Sequence, residues 1–155
     1  MQKKRALDSA LVSSLTESLM DALPVFPKHL LGADMLQRTH RMPLSHLQIL
    51  LMLRHEDMSI GQISRQLGIA KPNITPLVDS LCDQGLTERI RDTLDRRVIN
   101  VHLTEAGQAR LGEVESTIEG NVSRWGEKLS RSEMREMNNA LAGILRILGA
   151  LEQDA

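Results

Sequence analysis

The 155-residue chain holds one cysteine, one phenylalanine, one tryptophan and no tyrosine. A lone thiol, Cys82, cannot close an internal disulfide, so a disulfide-held scaffold is excluded. With only Phe26 and Trp125 as aromatics, the core must be built from Leu, Ile, Val, Met and Ala. The eight methionines read as gap fillers in that core, and Cys82 as a small filler beside Leu81. No apolar run approaches the roughly 20 residues of a membrane span. Lys3, Lys4 and Arg5 resemble the start of a signal peptide, but Asp8, Ser9, Ser13, Ser14 and Glu17 make the next stretch too polar for one. The expected setting is soluble and cytoplasmic, without a membrane partner. A glycine-rich phosphate loop, paired metal ligands and a nucleophile beside a base are all missing, which speaks against an enzyme and against a cofactor.

What is present is ordinary globular composition: 41% apolar and 25% charged residues argue against disorder as the main state. The net charge of −1 carries no overall signal for a polyanionic partner, so its distribution matters more. Residues 104–155 hold 6 basic and 9 acidic side chains. Arg89, Arg91, Arg96 and Arg97 fall within nine residues and are opposed there only by Asp92 and Asp95.

Leu7, Leu11, Leu15, Leu19 and Leu23 recur at steps of four and define one apolar helix face. Pro24 and Pro27 are expected to break or kink that helix, and Leu30, Leu31, Met35 and Leu36 resume a helical pattern. Ser45 and Gln48 form the pattern of a capping box opening a helix that is apolar almost all round, so a central position is expected. Ser59 and Gln62 form a second such pattern, before a short helix ending at Gly68. Lys71-Pro72 starts another helix, with proline in the first turn where its missing donor costs little. Ile74, Val78 and Leu81 lie on its inner face, and it ends at Gly85. Residues 86–91 and 98–103 alternate like the strands of a hairpin. Thr104 then caps a long helix, and Ser130 and Glu133 form a third capping box before a last helix carrying Met134, Met137, Leu141, Ile144, Leu145, Leu148 and Leu151.

Helix, short helix, tight glycine turn, helix and hairpin in that order make a winged helix-turn-helix. The fold expected is mainly α with a small β-hairpin wing. The second helix of such a pair fits the major groove of DNA. Its outer surface offers Lys71, Pro72, Asn73, Thr75 and Pro76. Asn73 suits adenine, Thr75 a base edge or thymine methyl, and Lys71 phosphate or guanine. Asp79 either accepts from cytosine or is a solvated charge. Pro76 removes one hydrogen bond about one turn into the helix. In the hairpin, Arg96 and Arg97 are candidates for the minor groove, with Arg89 and Arg91 adding positive charge and Asp92 or Asp95 orienting an arginine through a paired contact. Ser45 and Ser59 are expected as helix caps beside this surface.

Residues 44–107 resemble the MarR family of regulators. The matching stretches are Leu44 to Gln48, Ile63 to Leu67, Lys71 to Asp79, Gly85 to Arg89, Asp95-Arg96-Arg97 and Leu103-Thr104-Glu105-Ala106-Gly107. The resemblance implies a transcription regulator that dimerises through its terminal helices, binds a pseudo-palindromic double-stranded operator and usually represses. Residues 1–40 and 104–155 are then the helical dimerisation region and 41–103 the DNA-binding domain. The apolar terminal faces fit a partner chain independently. The resemblance also implies release by a small, often phenolic or aromatic, effector or by an oxidant. Phe26, His40, Arg41, Met42 and Leu47 are candidate lining for an effector pocket, and His40 and Arg41 could meet a carboxylate. Oxidation-sensing members carry a reactive cysteine near the N-terminus, a region without one here. A metal-sensing regulator of the same fold would need paired ligands, and the later helices hold no HxxxH or HxxE pair. A winged helix serving as a protein-interaction module is the remaining alternative; it has no use for Asn73, Thr75, Arg96 and Arg97 together.

Overall fold

A computed structural model describes residues 8–29, 33–91 and 98–153. The chain forms two compact units, Met1–Glu115 and Ser116–Ala155. The first unit begins with α1 (Ser9–His29) and α2 (Ala33–His40). α1 runs through Pro24 and Pro27 without a break, contrary to the sequence expectation. Proline removes only one backbone donor, and the flanking turns carry the helix past it.

α3 (Leu44–Leu53) buries His46, Leu47, Ile49, Leu50 and Leu53. It is not covered all round: Leu44 and Leu51 remain 36% and 40% exposed. The expected cap at Ser45 is corrected. The helix begins one residue earlier, with Pro43 as N-cap and no side-chain cap. The Pro43 carbonyl accepts from the amides of His46 and Leu47, so Ser45 already lies inside the first turn. Pro43 has the restricted backbone that favours this entry.

β1 (Met58–Ser59) leads directly into α4 (Ile60–Leu67). Here the expected capping box is present. Ser59 Oγ accepts from the Gln62 amide at 3.3 Å, and Gln62 Oε1 accepts from the Ser59 amide at 2.8 Å. Gly68, at φ 65°, ends α4 in the left-handed region that a side chain disfavours. The Gly68 amide bonds the Arg65 carbonyl and the Ile69 amide bonds the Ser64 carbonyl. Ser64 Oγ also donates to the Ile69 carbonyl at 2.6 Å, which pins the turn into α5 (Lys71–Asp83).

Ile74, Val78 and Leu81 of α5 are fully buried, as are Ile49, Leu50, Ile63 and Val101. Each such side chain contributes about 1.5–3 kcal/mol through burial. α5 closes at Gly85 (φ 70°), where the Leu86 amide reaches the Leu81 carbonyl and the Gly85 amide the Cys82 carbonyl. Half-buried Cys82 places Sγ 3.3 Å from Thr87 Oγ1.

β2 (Thr87–Arg91) pairs antiparallel with β3 (Ile99–Leu103) from Thr87↔Leu103 to Arg91↔Ile99. The sheet has three strands, not the two expected, in the order β1-β3-β2. β1 is two residues long and supplies the α4 cap, so it carries no readable alternation. Thr104 fastens the hairpin to α6 (Glu105–Trp125): its hydroxyl donates to the Gly85 carbonyl at 2.7 Å and accepts from the Gly107 amide at 3.1 Å.

The second unit holds the rest of α6 and α7 (Arg131–Gln153). The Ser130–Glu133 capping box opens α7, with the Ser130 amide donating to Glu133 Oε2 at 2.7 Å. That bond, and a second from the Ser130 hydroxyl, hold the Glu133 carboxyl below the usual range. No described helix is long and apolar enough to cross a membrane.

Candidate nucleic-acid interface

The buried stripe of α5 orients everything else on that helix. With Ile74, Val78 and Leu81 turned inward, Lys71, Pro72, Asn73 and Pro76 are exposed on its first two turns. Proline in the first turn and Pro76 further on leave this surface smooth and poor in backbone donors. Among the described residues no side chain bonds the Asn73 amide group. Thr75 is half-buried and its hydroxyl donates to the Lys71 carbonyl at 3.1 Å. Its donor is therefore spent within the helix, and its methyl and remaining lone pair are what it offers outward.

Asp79 is engaged. Arg89 Nη2 lies 2.6 Å from Asp79 Oδ1, joining α5 to β2. Arg89 stands opposite Val101 in the ladder, on the sheet face that meets α5. Arg91 is exposed at the end of β2. Asp92, Asp95, Arg96 and Arg97 lie outside the described residues, so the expected hairpin tip is not located.

On the opposite sheet face, His102 Nδ1 lies 2.7 Å from Asp57 Oδ1, and Glu88 stands across from His102 in the ladder. That face carries two carboxylates, which disfavours an approach of phosphates there.

Two further residues near the α5 surface escaped sequence reasoning. Arg65 is exposed on α4, and Gly61 packs against Lys71. The signal for Arg65 was its place off the apolar Ile60, Ile63, Leu67 face of a short helix.

The candidate effector residues are distributed differently. Met42 and Leu47 are 7% and 4% exposed and belong to the core. The His40 side chain is buried, with Nδ1 4.0 Å from Glu113 Oε2. Phe26 and Arg41 are exposed, and Arg41 is held at φ 49°, in the left-handed region. A cleft of about 330 Å³ elsewhere in this unit is lined by Arg54, Leu103, Gln108, Leu111, Gly112 and Glu115 and includes none of the five. Arg54 and Glu115 form an ion pair at its edge. Among the described residues no group of three His, Cys, Asp or Glu side chains is arranged to hold a metal.

The model of the MarR family matches residues 41–98. The organic hydroperoxide resistance transcriptional regulator of Bacillus subtilis is 30% identical over 103 residues, covering 66% of this chain and 69% of that protein. The HTH-type regulator YsmB of the same organism is 38% identical over 58 residues, but the chain spans only 40% of its length. Among solved structures, RV1404 from Mycobacterium tuberculosis matches with a TM-score of 0.76 at 20% identity, over 93% of this chain and 97% of that one. FabT of Streptococcus pneumoniae, solved in complex with DNA, matches with a TM-score of 0.62 at 21% identity, over 93% and 99%. At these identities the structural likenesses establish a shared fold.

Proposed function

Since the chain belongs to the MarR family of transcription regulators, we propose that it acts as a homodimeric repressor reading a pseudo-palindromic operator. The first turns of α5 enter the major groove, where Asn73 reads base edges and Lys71 meets the backbone. Arg91, Arg96 and Arg97 of the hairpin approach the flanking minor groove. The observation that carries this reading is the exposed Lys71, Pro72, Asn73 and Pro76 surface, backed by a fully buried face and tied to β2 through Asp79–Arg89. The DNA complex of FabT supports the same use of the fold.

Dimerisation rests on the terminal helices. Leu11, Leu15, Leu19 and Leu23 of α1 are 58–65% exposed, and Leu145, Leu148 and Leu151 of α7 are 50–69% exposed. Apolar stripes of this length on a chain that must stay in solution call for a partner, and a second copy satisfies it symmetrically. Residues 1–40 and 104–155 then form the dimerisation region and 41–103 the DNA-binding domain. A dimer bound across a promoter represses by excluding the polymerase.

A small aromatic or phenolic effector near His40 and Arg41 would release the DNA. The left-handed backbone at Arg41 supports a functional constraint there, since such a conformation costs roughly 1–2 kcal/mol. The hydroperoxide response in the relative's name is not carried over, because Cys82 sits half-buried against Thr87.

Selection of bound sequences from a random duplex pool tests the reading. An inverted repeat with half-sites about 10–10.5 bp apart, or a multiple, is expected; an unstructured or asymmetric consensus contradicts it.

A further inference from the structure

The space that a side chain would fill at Gly61 is flanked by two cations. A Cβ there would lie 3.2 Å from Lys71 Cε, 3.3 Å from Lys71 Nζ and 3.9 Å from Arg65 Nη1. Gly61 lies in the first turn of α4, Arg65 one turn further along, and Lys71 is the first residue of α5. The two head groups therefore converge on one point within 4 Å of each. Both residues are exposed, and neither takes part in an ion pair among the described residues. The first turns of α4 and α5 carry no acidic side chain. Like charges repel, and Lys71 at the start of α5 opposes that helix's dipole, whereas Arg65 in the last turn of α4 is favoured by its own. An anion between the two head groups relieves the repulsion.

We infer that Lys71 and Arg65 clamp a single backbone phosphate of duplex DNA, and that the bare Cα of Gly61 lets Lys71 lie in the clamp. The inference rests on the DNA-binding reading above and extends it. A phosphate between the two head groups accepts from both, each bond charge-assisted. Arg65 thereby joins the contact set, and Lys71 serves backbone anchoring rather than base reading. The clamp sets the register of α5 on the duplex and leaves sequence discrimination to Asn73 and its neighbours. Gly61 is a positioning residue: it acts through Lys71.

The test uses the full chain and a fluorescent mixed-sequence duplex, with affinity measured by anisotropy over a range of salt. Each neutralised phosphate contributes about 0.9 to the slope of log K against log salt. Because the two cations share one phosphate, the Lys71→Ala/Arg65→Ala double variant is expected to lower the slope by about 0.9 in all, while Lys71→Arg retains it; a loss of about 1.8, as for two separately held phosphates, overturns the shared clamp. Gly61→Ala, whose Cβ moves the Lys71 head group by a few tenths of an ångström, is expected to weaken binding less than Lys71→Ala does, and to add nothing in the Lys71→Ala background. Alanine is the better helix former, so the melting temperature of Gly61→Ala should hold or rise. A drop in that temperature, or a further weakening of binding on the Lys71→Ala background, overturns the positioning role. Salt-dependent binding that survives Lys71→Ala and Arg65→Ala unchanged overturns the clamp and leaves the DNA reading standing. A wild-type chain with no salt-dependent duplex binding overturns both.

Discussion

Arg89 Nη2 lies 2.6 Å from Asp79 Oδ1, and this one ion pair joins the third turn of α5 to the first strand of the hairpin. The two elements proposed to meet DNA are thereby coupled on the side where they would meet it. The pair is 39% and 52% exposed, so its direct worth is small. A double-mutant cycle with Asp79→Ala and Arg89→Ala should give a coupling of about 0.2–1 kcal/mol in urea unfolding, fading toward zero in 1 M salt. Coupling that persists in high salt would mean that the contact is not electrostatic.

Gly107 is where α6 closes on the hairpin. A Cβ there would sit 2.1 Å from the Leu86 carbonyl oxygen and 2.6 Å from Leu103 Cδ1. That carbonyl cannot yield easily, since it already accepts from the Thr104 amide at 3.2 Å. Gly107→Ala should destabilise the first unit by about 3 kcal/mol. Gly112, in the same helix, has no such neighbour, and Gly112→Ala should stabilise by up to about 1 kcal/mol. Chemical denaturation of the two variants checks the contrast, and equal effects would refute it.

His46 is buried on α3, and burial pushes its imidazole below the usual range. The native state therefore favours the neutral ring. As pH falls from about 7 through 6, the unfolded chain takes up this proton more readily than the folded one, and stability drops. Thermal melts across that window should show the decline, and His46→Gln should flatten it. An unchanged decline in His46→Gln would assign the effect to other groups.

The terminal helices should hold the dimer. A lone chain tolerates Leu148→Glu or Leu19→Glu, because both positions are at least half exposed. In a dimer seam each substitution buries a charge without a partner. Light scattering should give the mass of two chains for the wild type and of one chain for the double variant. A wild type that stays monomeric at high concentration contradicts the proposal.

Much of this organisation was legible in residue patterns. The helix-turn-helix and hairpin followed from apolar spacing, from Gly68 and Gly85, and from the Ser59–Gln62 cap, because each is a local signal that tertiary packing reinforced. Three features were not legible, each for a physical reason. β1 is two residues long and doubles as a cap. Ser45 matched a capping pattern, but Pro43 started the helix earlier. α1 ran through prolines that a purely local rule would treat as breaks. At the site, the burial of Ile74, Val78 and Leu81 determined which α5 residues face outward, as their spacing implied. The engagement of Asp79 by Arg89, the back-bonded Thr75 and the convergence of Arg65 on Gly61 depend on distances between elements, which no local pattern encodes.

Hydrogen–deuterium exchange of the full chain, with and without a selected operator duplex, tests most directly the proposal that α5 and the hairpin form one DNA-facing surface. The duplex should slow exchange together at the start of α5, around residues 71–76, and along the hairpin, residues 87–103. Protection at only one of these elements, or confined to residues 116–155, would show that α5 and the hairpin do not face the duplex as one surface.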